Sequence, residues 1–373
     1  MRLTNKWRNI FILIGLYLLT ASIHIIVISQ QGATTDETFQ NFRHLRAIEE
    51  NGKPLFSDAL QIGRESSAFN PLLFYLLFPL WFLAGSLSSF LLMIGLLVSA
   101  SSIFIYLFLQ KHEENKAICF LFSFISVANP LVFGLYIKGF FISTLYIPII
   151  FLFFFCFFSY AKKLNTWLKI TILILLSICV VITAHAVIGL FVLFLLFVIS
   201  TFEKRPVSQL LKELYLYLGL LFLFSQYVIY HSIFLKGSVF PFFSQTILQT
   251  QSYDYFFTAF AQIVLPFLII GLYAYYRSFR SRTNPLVLFS FSLFSMSIFL
   301  FSLKINDAFI ILVYAFAALV LTAPYIYHVL ERYWKTSKFS KNSRKLNAAF
   351  LLFFIFFAIA STSPFIISSP SAF

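Results

Sequence analysis

Charge is what this sequence has least of. Only 11% of its 373 residues are Asp, Glu, Lys or Arg, where a soluble globular domain carries roughly 25%. That scarcity excludes an ordinary water-soluble fold. Cysteine is nearly absent as well: Cys119, Cys156 and Cys179 each lie inside an apolar run. They imply no disulfide framework and no metal-ligand spacing, and each reads as a small hydrophobe. There is no Walker A loop and no dinucleotide-binding glycine pattern. Acids are missing from the middle of the apolar runs, where ion-coupled transporters usually place them. No internal repeat is visible. The longest polar stretches are 30–70 and 331–345, which leaves no room for a separate soluble domain.

What is abundant is grease. The chain is 60% hydrophobic, with 53 Phe and a mean hydropathy of +0.91. Runs of about twenty apolar residues match the roughly 30 Å hydrocarbon core of a bilayer. The reading is an all-α polytopic membrane protein of the plasma membrane, one transmembrane domain over 1–373, in contact with membrane lipids. The formal charge of +14 then needs no nucleic-acid partner, because Lys and Arg gather in cytoplasmic loops. The start "MRLTNKWRNIFILIGLYLLTASIHIIVIS" has a basic flank and an apolar stretch longer than a signal-peptide core, so it reads as a retained first helix.

Apolar runs fall at 9–29, 71–84, 87–109, 117–136, 140–160, 168–184, 186–202, 210–230, 255–276, 285–303, 308–330 and 347–367. The second has only fourteen residues and contains Pro79, too short to span and suited to an interfacial or re-entrant helix. Charge supports that choice. If 71–84 does not cross, 20 of the 27 Lys and Arg face the cytoplasm, and only Arg43, Arg46, Lys53, Arg64, Lys138, Lys236 and Lys304 face out. If it crosses, 17 downstream basic residues move outside. The positive-inside rule therefore predicts eleven spans, N-terminus cytoplasmic and C-terminus outside. Spans 168–184 and 186–202 form a tight hairpin broken by "TAHAV", with His185 at its outer tip.

The outer juxtamembrane segment 30–85 carries the chemistry. Thr34 to Glu37 has the spacing of a capping box, and a helix over 35–51 follows, stopped by Gly52 and Pro54. Phe39, Phe42, Leu45 and Ile48 share one face at 100° per residue, which suits a helix lying in the membrane interface. Asp36, Gln40, Arg43, His44 and Ala47 share the other. Asn70 and Pro71 then read as the cap and first position of the short helix 71–84.

The succession of a first helix, "DE", an amphipathic helix ending in "NGKP", a "GR" stretch and "NPLLFYLLFPL" resembles the C-type membrane glycosyltransferases. These include protein O-mannosyltransferases and lipid A aminoarabinose transferases. "ANPLVFGLYIKGFFISTLYIPIIFLF" and "ITAHAVIGLFVL" are similar to the same family. The resemblance covers roughly the first 200 residues. It implies a sugar carried on a polyprenyl phosphate in the outer leaflet. It also implies a carboxylate just after the first helix that acts as general base on an acceptor hydroxyl or orients a divalent metal. On this sequence that position is Asp36, with Glu37 beside it. Many relatives carry a second acid in the outer loop after the third span. Here that loop is "LYIKGF", with Lys138 and no acid. Many relatives also end in a soluble outer domain that holds the acceptor, whereas this sequence ends "SSPSAF"; either this branch of the family lacks that domain, a partner protein supplies it, or the activity is absent.

Around the acids, Arg43 and Arg64 could clamp a phosphate bidentately. Lys138 stands alone in a tiny outer loop and could bind a phosphate directly. His185 and His44 could contact the pyranose, the phosphate or the base. Each has a plainer role. Acids in a first helical turn favour the helix dipole by about 0.3–1 kcal/mol, and Arg at headgroup depth also meets lipid phosphates. His24, inside the first helix, is expected to pack against Ser, Tyr or backbone. His231, Asp254 and Asp307 fall in or near outer loops without a pattern. Two other functions fit the same composition: a non-catalytic scaffold of a glycan assembly complex, and a lipid or glycolipid transporter.

Overall fold

The computed structural model describes residues 5–31, 36–53, 71–110 and 115–137, with isolated helical positions between 144 and 356. The continuous part is all helix: α1 (Asn5–Gln31), α2 (Asp36–Asn51), α3 (Pro71–Ala84), α4 (Leu87–Ser99), α5 (Ser101–Gln110), α6 (Lys116–Val127) and α7 (Pro130–Ile137). Three stretches are long and apolar enough to cross a membrane: Trp7–Gln30, Leu87–Gln110 and Lys116–Tyr136. The second joins α4 to α5 and the third joins α6 to α7.

These three stretches alternate in direction. α1 and α4–α5 run antiparallel, because Thr20 Oγ1 lies 3.3 Å from Ser102 Oγ while Ile28 and His24 meet Gly95. α1 and α6–α7 run parallel, because Lys116 bonds the Asn9 side chain near their starts and His24 bonds Tyr136 near their ends. α1 therefore finishes, and α4 begins, at the same end of the bundle. The chain from 31 to 87 leaves and returns at that end, and α3, at fourteen residues, reaches about 21 Å, short of a roughly 30 Å core.

Inside such a bundle every polar group needs a local partner. Thr20 Oγ1 donates to Leu16 O (2.8 Å), and Ser22 and Ser29 Oγ to Leu18 O and Ile26 O. Ser99 donates to Gly95 O and Ser102 to Ser99 O, both at 2.7 Å. Serines that bond back one turn bend helices, which accounts for the break at Ala100 in a run that hydropathy reads as continuous. The break between α6 and α7 is built around buried Asn129. Its Nδ2 donates to Ile125 O and Ser126 O, and its Oδ1 accepts from Leu131 and Val132 N–H. One side chain thus serves the last carbonyls of α6 and the first free amides of α7, while Pro130 has no N–H to satisfy.

Gly95 sets the closeness of α1 and α4, as small residues do at membrane helix contacts. A Cβ there would stand 2.7 Å from Ile28 Cδ1 and 3.5 Å from His24 Cβ. Gly95→Ala is expected to cost about 1 kcal/mol, because only the tip of Ile28 must turn aside. Adding Ile28→Val in the same chain should recover most of it, as read by thermal unfolding in micelles. A loss of the same size in the double variant would place the conflict elsewhere.

Candidate functional site

α2 follows α1 after four residues, so its first turn, with Asp36 and Glu37, belongs to the end of the bundle where α1 finishes. α2 stops where the sequence reading puts it. Gly52 takes φ +72°, and its N–H donates to Ile48 O at 2.8 Å, a left-handed cap that glycine adopts without strain.

The apolar face of α2 is the expected one, but α3 covers it. Leu45 and Ile48 are buried. Phe42 meets Trp81 edge-on with ring centroids 4.4 Å apart. Trp81 Nε1 donates to Glu49 Oε2 at 2.9 Å, and Tyr75 Oη to Gly52 O at 3.2 Å. α3 is held in turn against the bundle. Gly85 (φ +64°) ends it with its N–H on Trp81 O, and Ser86 at once caps α4 by accepting from Ser89 N–H. Trp81 also reaches Phe90 of α4, with centroids 6.0 Å apart. Trp81 is thus the pivot that seats α2 on the bundle.

His44 and Ala47 correct the helical-wheel reading. The wheel sorts both onto the polar face, yet His44 is 7% exposed and Ala47 5%. His44 stacks on Phe74 with centroids 4.6 Å apart. The reason is tertiary: α3 lies alongside α2 with aromatic side chains wide enough to cover the flank of the apolar stripe. Arg43 is half-buried, while Arg46 pairs with Glu50 at 2.9 Å on the exposed side.

Of the sequence-predicted residues, Arg43 and His44 are neighbours in sequence on the middle of α2, Arg43 half-buried and His44 turned against Phe74. Asp36 and Glu37 are placed by the backbone alone, in its first turn. Arg64, Lys138 and His185 lie outside the described residues, and Lys138 follows in sequence directly on Ile137, the last residue of α7. Among the described residues no three His, Cys, Asp or Glu side chains converge as metal ligands.

Sequence reasoning passes over one cluster deeper in the bundle. His24, buried in α1, sets its Nδ1 2.8 Å from Tyr136 Oη, and its ring meets the edges of Phe133 and Tyr136 at centroid distances of 5.3 and 5.5 Å. The Tyr136 hydroxyl also pairs with the side chain of buried Thr144. His24 does pack against a tyrosine, but a partner 112 positions away has no local signature. Set against known proteins, the chain matches no family model and no curated protein.

Proposed function

We propose that this chain is a membrane glycosyltransferase. In this reading it moves a sugar from a polyprenyl-phosphate donor to an acceptor hydroxyl at the outer face of the membrane. The observation that carries the reading is the seating of α2, an acid-led amphipathic helix, on α3 at the end of the bundle where α1 stops. A lipid-linked sugar meets water at that depth, because its polyprenyl tail stays in the hydrocarbon. The order of motifs through "NPLLFYLLFPL" supports it.

The chemistry assigns the roles. A hydroxyl is a weak nucleophile, so a base must take its proton as it attacks; Asp36 is that base, with Glu37 capping the helix beside it. The new C–O bond forms at the anomeric carbon, with inversion. The bond to the phosphate oxygen breaks, and its electron pair leaves with the polyprenyl phosphate. The growing negative charge needs cations, supplied by Arg43, Arg64 and Lys138. His185 is assigned to the sugar ring, and His44 holds α2 on α3. A partner protein presents the acceptor. The scaffold alternative has one feature in its favour, the loop "LYIKGF" with no acid.

The fold belonging to this reading has eleven spans of the C-type glycosyltransferase arrangement, N-terminus inside. Cysteines introduced at Ser66 and at Ser369 should label from outside the cell, and one at Ser340 should not. External labelling at 340 would overturn the orientation. The activity is tested in membranes containing the chain and a polyprenyl-phosphate-linked sugar. Sugar should move to acceptor as free polyprenyl phosphate is released. Donor that stays intact beside every acceptor fraction would favour the scaffold.

A further inference from the structure

α3 has two unlike sides. Phe74, Leu77 and Trp81 are buried, Phe74 against His44 and Trp81 against Phe42 and Phe90. Leu83 stands half a turn round the helix from Phe74, and the side it marks is greasy and bare. Phe82 is 70% exposed, Leu83 72% and Tyr75 44%, and the Phe78 and Phe82 rings lie 6.2 Å apart. A contiguous apolar face of this kind marks an interaction surface. α2 is the opposite case. Its exposed side carries Arg46, Glu50 and Lys53, the first two paired at 2.9 Å. The two helices thus make two layers, one charged and one apolar.

We infer that α3 is the helix that docks on the membrane surface. It lies flat at the boundary of headgroups and acyl chains, with Tyr75, Phe82 and Leu83 among the acyl chains of one leaflet. α2 rests on it, on the water side. The place that periodicity offers to α2, greasy side down in the interface, passes to α3. Lipid is the cover because the corner at Gly85 and Ser86 leads straight into the apolar stretch Leu87–Gln110. Phe82 and Leu83 therefore stand where that stretch enters the bilayer. The docking is flat for two reasons. First, α2 follows α3 along its length: Tyr75 bonds Gly52 O, Phe74 stacks on His44, and Trp81 meets both Phe42 and Glu49. A dip of α3 into the hydrocarbon would drag Arg46 and Glu50 with it, which a bilayer opposes. Second, Pro79 lies within α3 and has no N–H for Tyr75 O. Both residues are exposed. In hydrocarbon that carbonyl would lack its helical donor; at headgroup depth water supplies one. The docking requires no glycosyltransferase activity.

Two measurements on the full chain in phospholipid nanodiscs test it. In the first, the unaltered chain is irradiated beside a phosphatidylcholine that carries a diazirine near the glycerol end of one acyl chain. Labelled peptides are then mapped by mass spectrometry. Label should fall on residues 75–83 and be absent from 43–53. In the second, nitroxides are placed singly through Tyr75→Cys, Phe82→Cys, Leu83→Cys, Glu50→Cys and Lys53→Cys, in a chain that also carries Cys119→Ala, Cys156→Ala and Cys179→Ala. Spin relaxation by oxygen, which concentrates in lipid, is compared with relaxation by a water-soluble nickel chelate. The α3 nitroxides should share one depth, about 5–10 Å into the headgroup–acyl boundary. The α2 nitroxides should be relaxed chiefly by the nickel chelate. Tyr75 and Leu83 are about 12 Å apart along the helix axis, so a dipping α3 would spread their depths by nearly that distance and overturn the flat docking. Carbene label on α2 in place of α3, or α3 nitroxides open to the nickel chelate, overturns the assignment. So do α3 nitroxides shielded from both relaxants, because a second copy or another part of the chain would then be the cover. If the cysteine variants fail to fold, the peptide map of the unaltered chain decides alone.

Discussion

Replacing Asp36 by Asn is expected, on the proposed glycosyltransferase reading, to slow sugar transfer by about 10²–10⁴-fold, the usual contribution of a general base, while the protein still inserts and folds. The two effects separate because Asn keeps the size of the side chain and can still serve near a helix start. As a helix-end charge alone, Asp36 is worth at most about 1 kcal/mol, too little to unfold a membrane bundle. Glu37→Gln should be milder, since Gln still completes a capping box. The measurement is initial transfer rate from a polyprenyl-phosphate donor, with expression and thermal unfolding as controls. An Asp36→Asn chain turning over at the wild-type rate would remove the base and leave the scaffold reading.

The largest effect on stability is expected at Asn129. Asn129→Leu preserves bulk but strips the break of its four side-chain hydrogen bonds. Buried Leu131 and Val132 would keep N–H groups with no acceptor in an apolar interior. At about 1–3 kcal/mol for each such group, the loss is roughly 2–6 kcal/mol. Asn129→Ser should lose much less, because a serine oxygen also caps a helix start. Denaturation in mixed micelles checks the order: wild type, then Ser, then Leu. Equal stability of Leu and wild type would mean that the break is satisfied by other groups.

The break shows what hydropathy hides. Residues 117–136 read as one apolar run, and the Asn-Pro pair inside it is the local signal that the run is two helices. The turn at Ala100 is harder to see, since serine back-bonding depends on side-chain rotamers. Segment 71–84 was legible to its ends, because Asn70-Pro71 marks a helix start and Gly85 a stop. Its length and the charge balance argue against a crossing, and the matching ends of α1 and α4 are compatible with that expectation. The face of α2 was legible at Leu45 and Ile48 and misread at His44. Periodicity locates an apolar stripe but says nothing about how wide a neighbour will cover it. The His24–Tyr136 pair lies beyond any local pattern, because it exists only once α1 and α7 are side by side. Arg64, Lys138 and His185 lie outside the described residues, so their part in the site rests on sequence chemistry.

The central claim is that a polyprenyl phosphate docks at the α2 end of the bundle. A photoreactive polyprenyl phosphate, activated on the full chain in nanodiscs and mapped by peptide mass spectrometry, tests it most directly. The account predicts label on the peptides carrying residues 36–53, Arg64 and Lys138, competed by unlabelled polyprenyl phosphate and not by phosphatidylglycerol. Label spread instead over exposed α1 residues such as Phe11 and Leu18, and competed equally by both lipids, would contradict it.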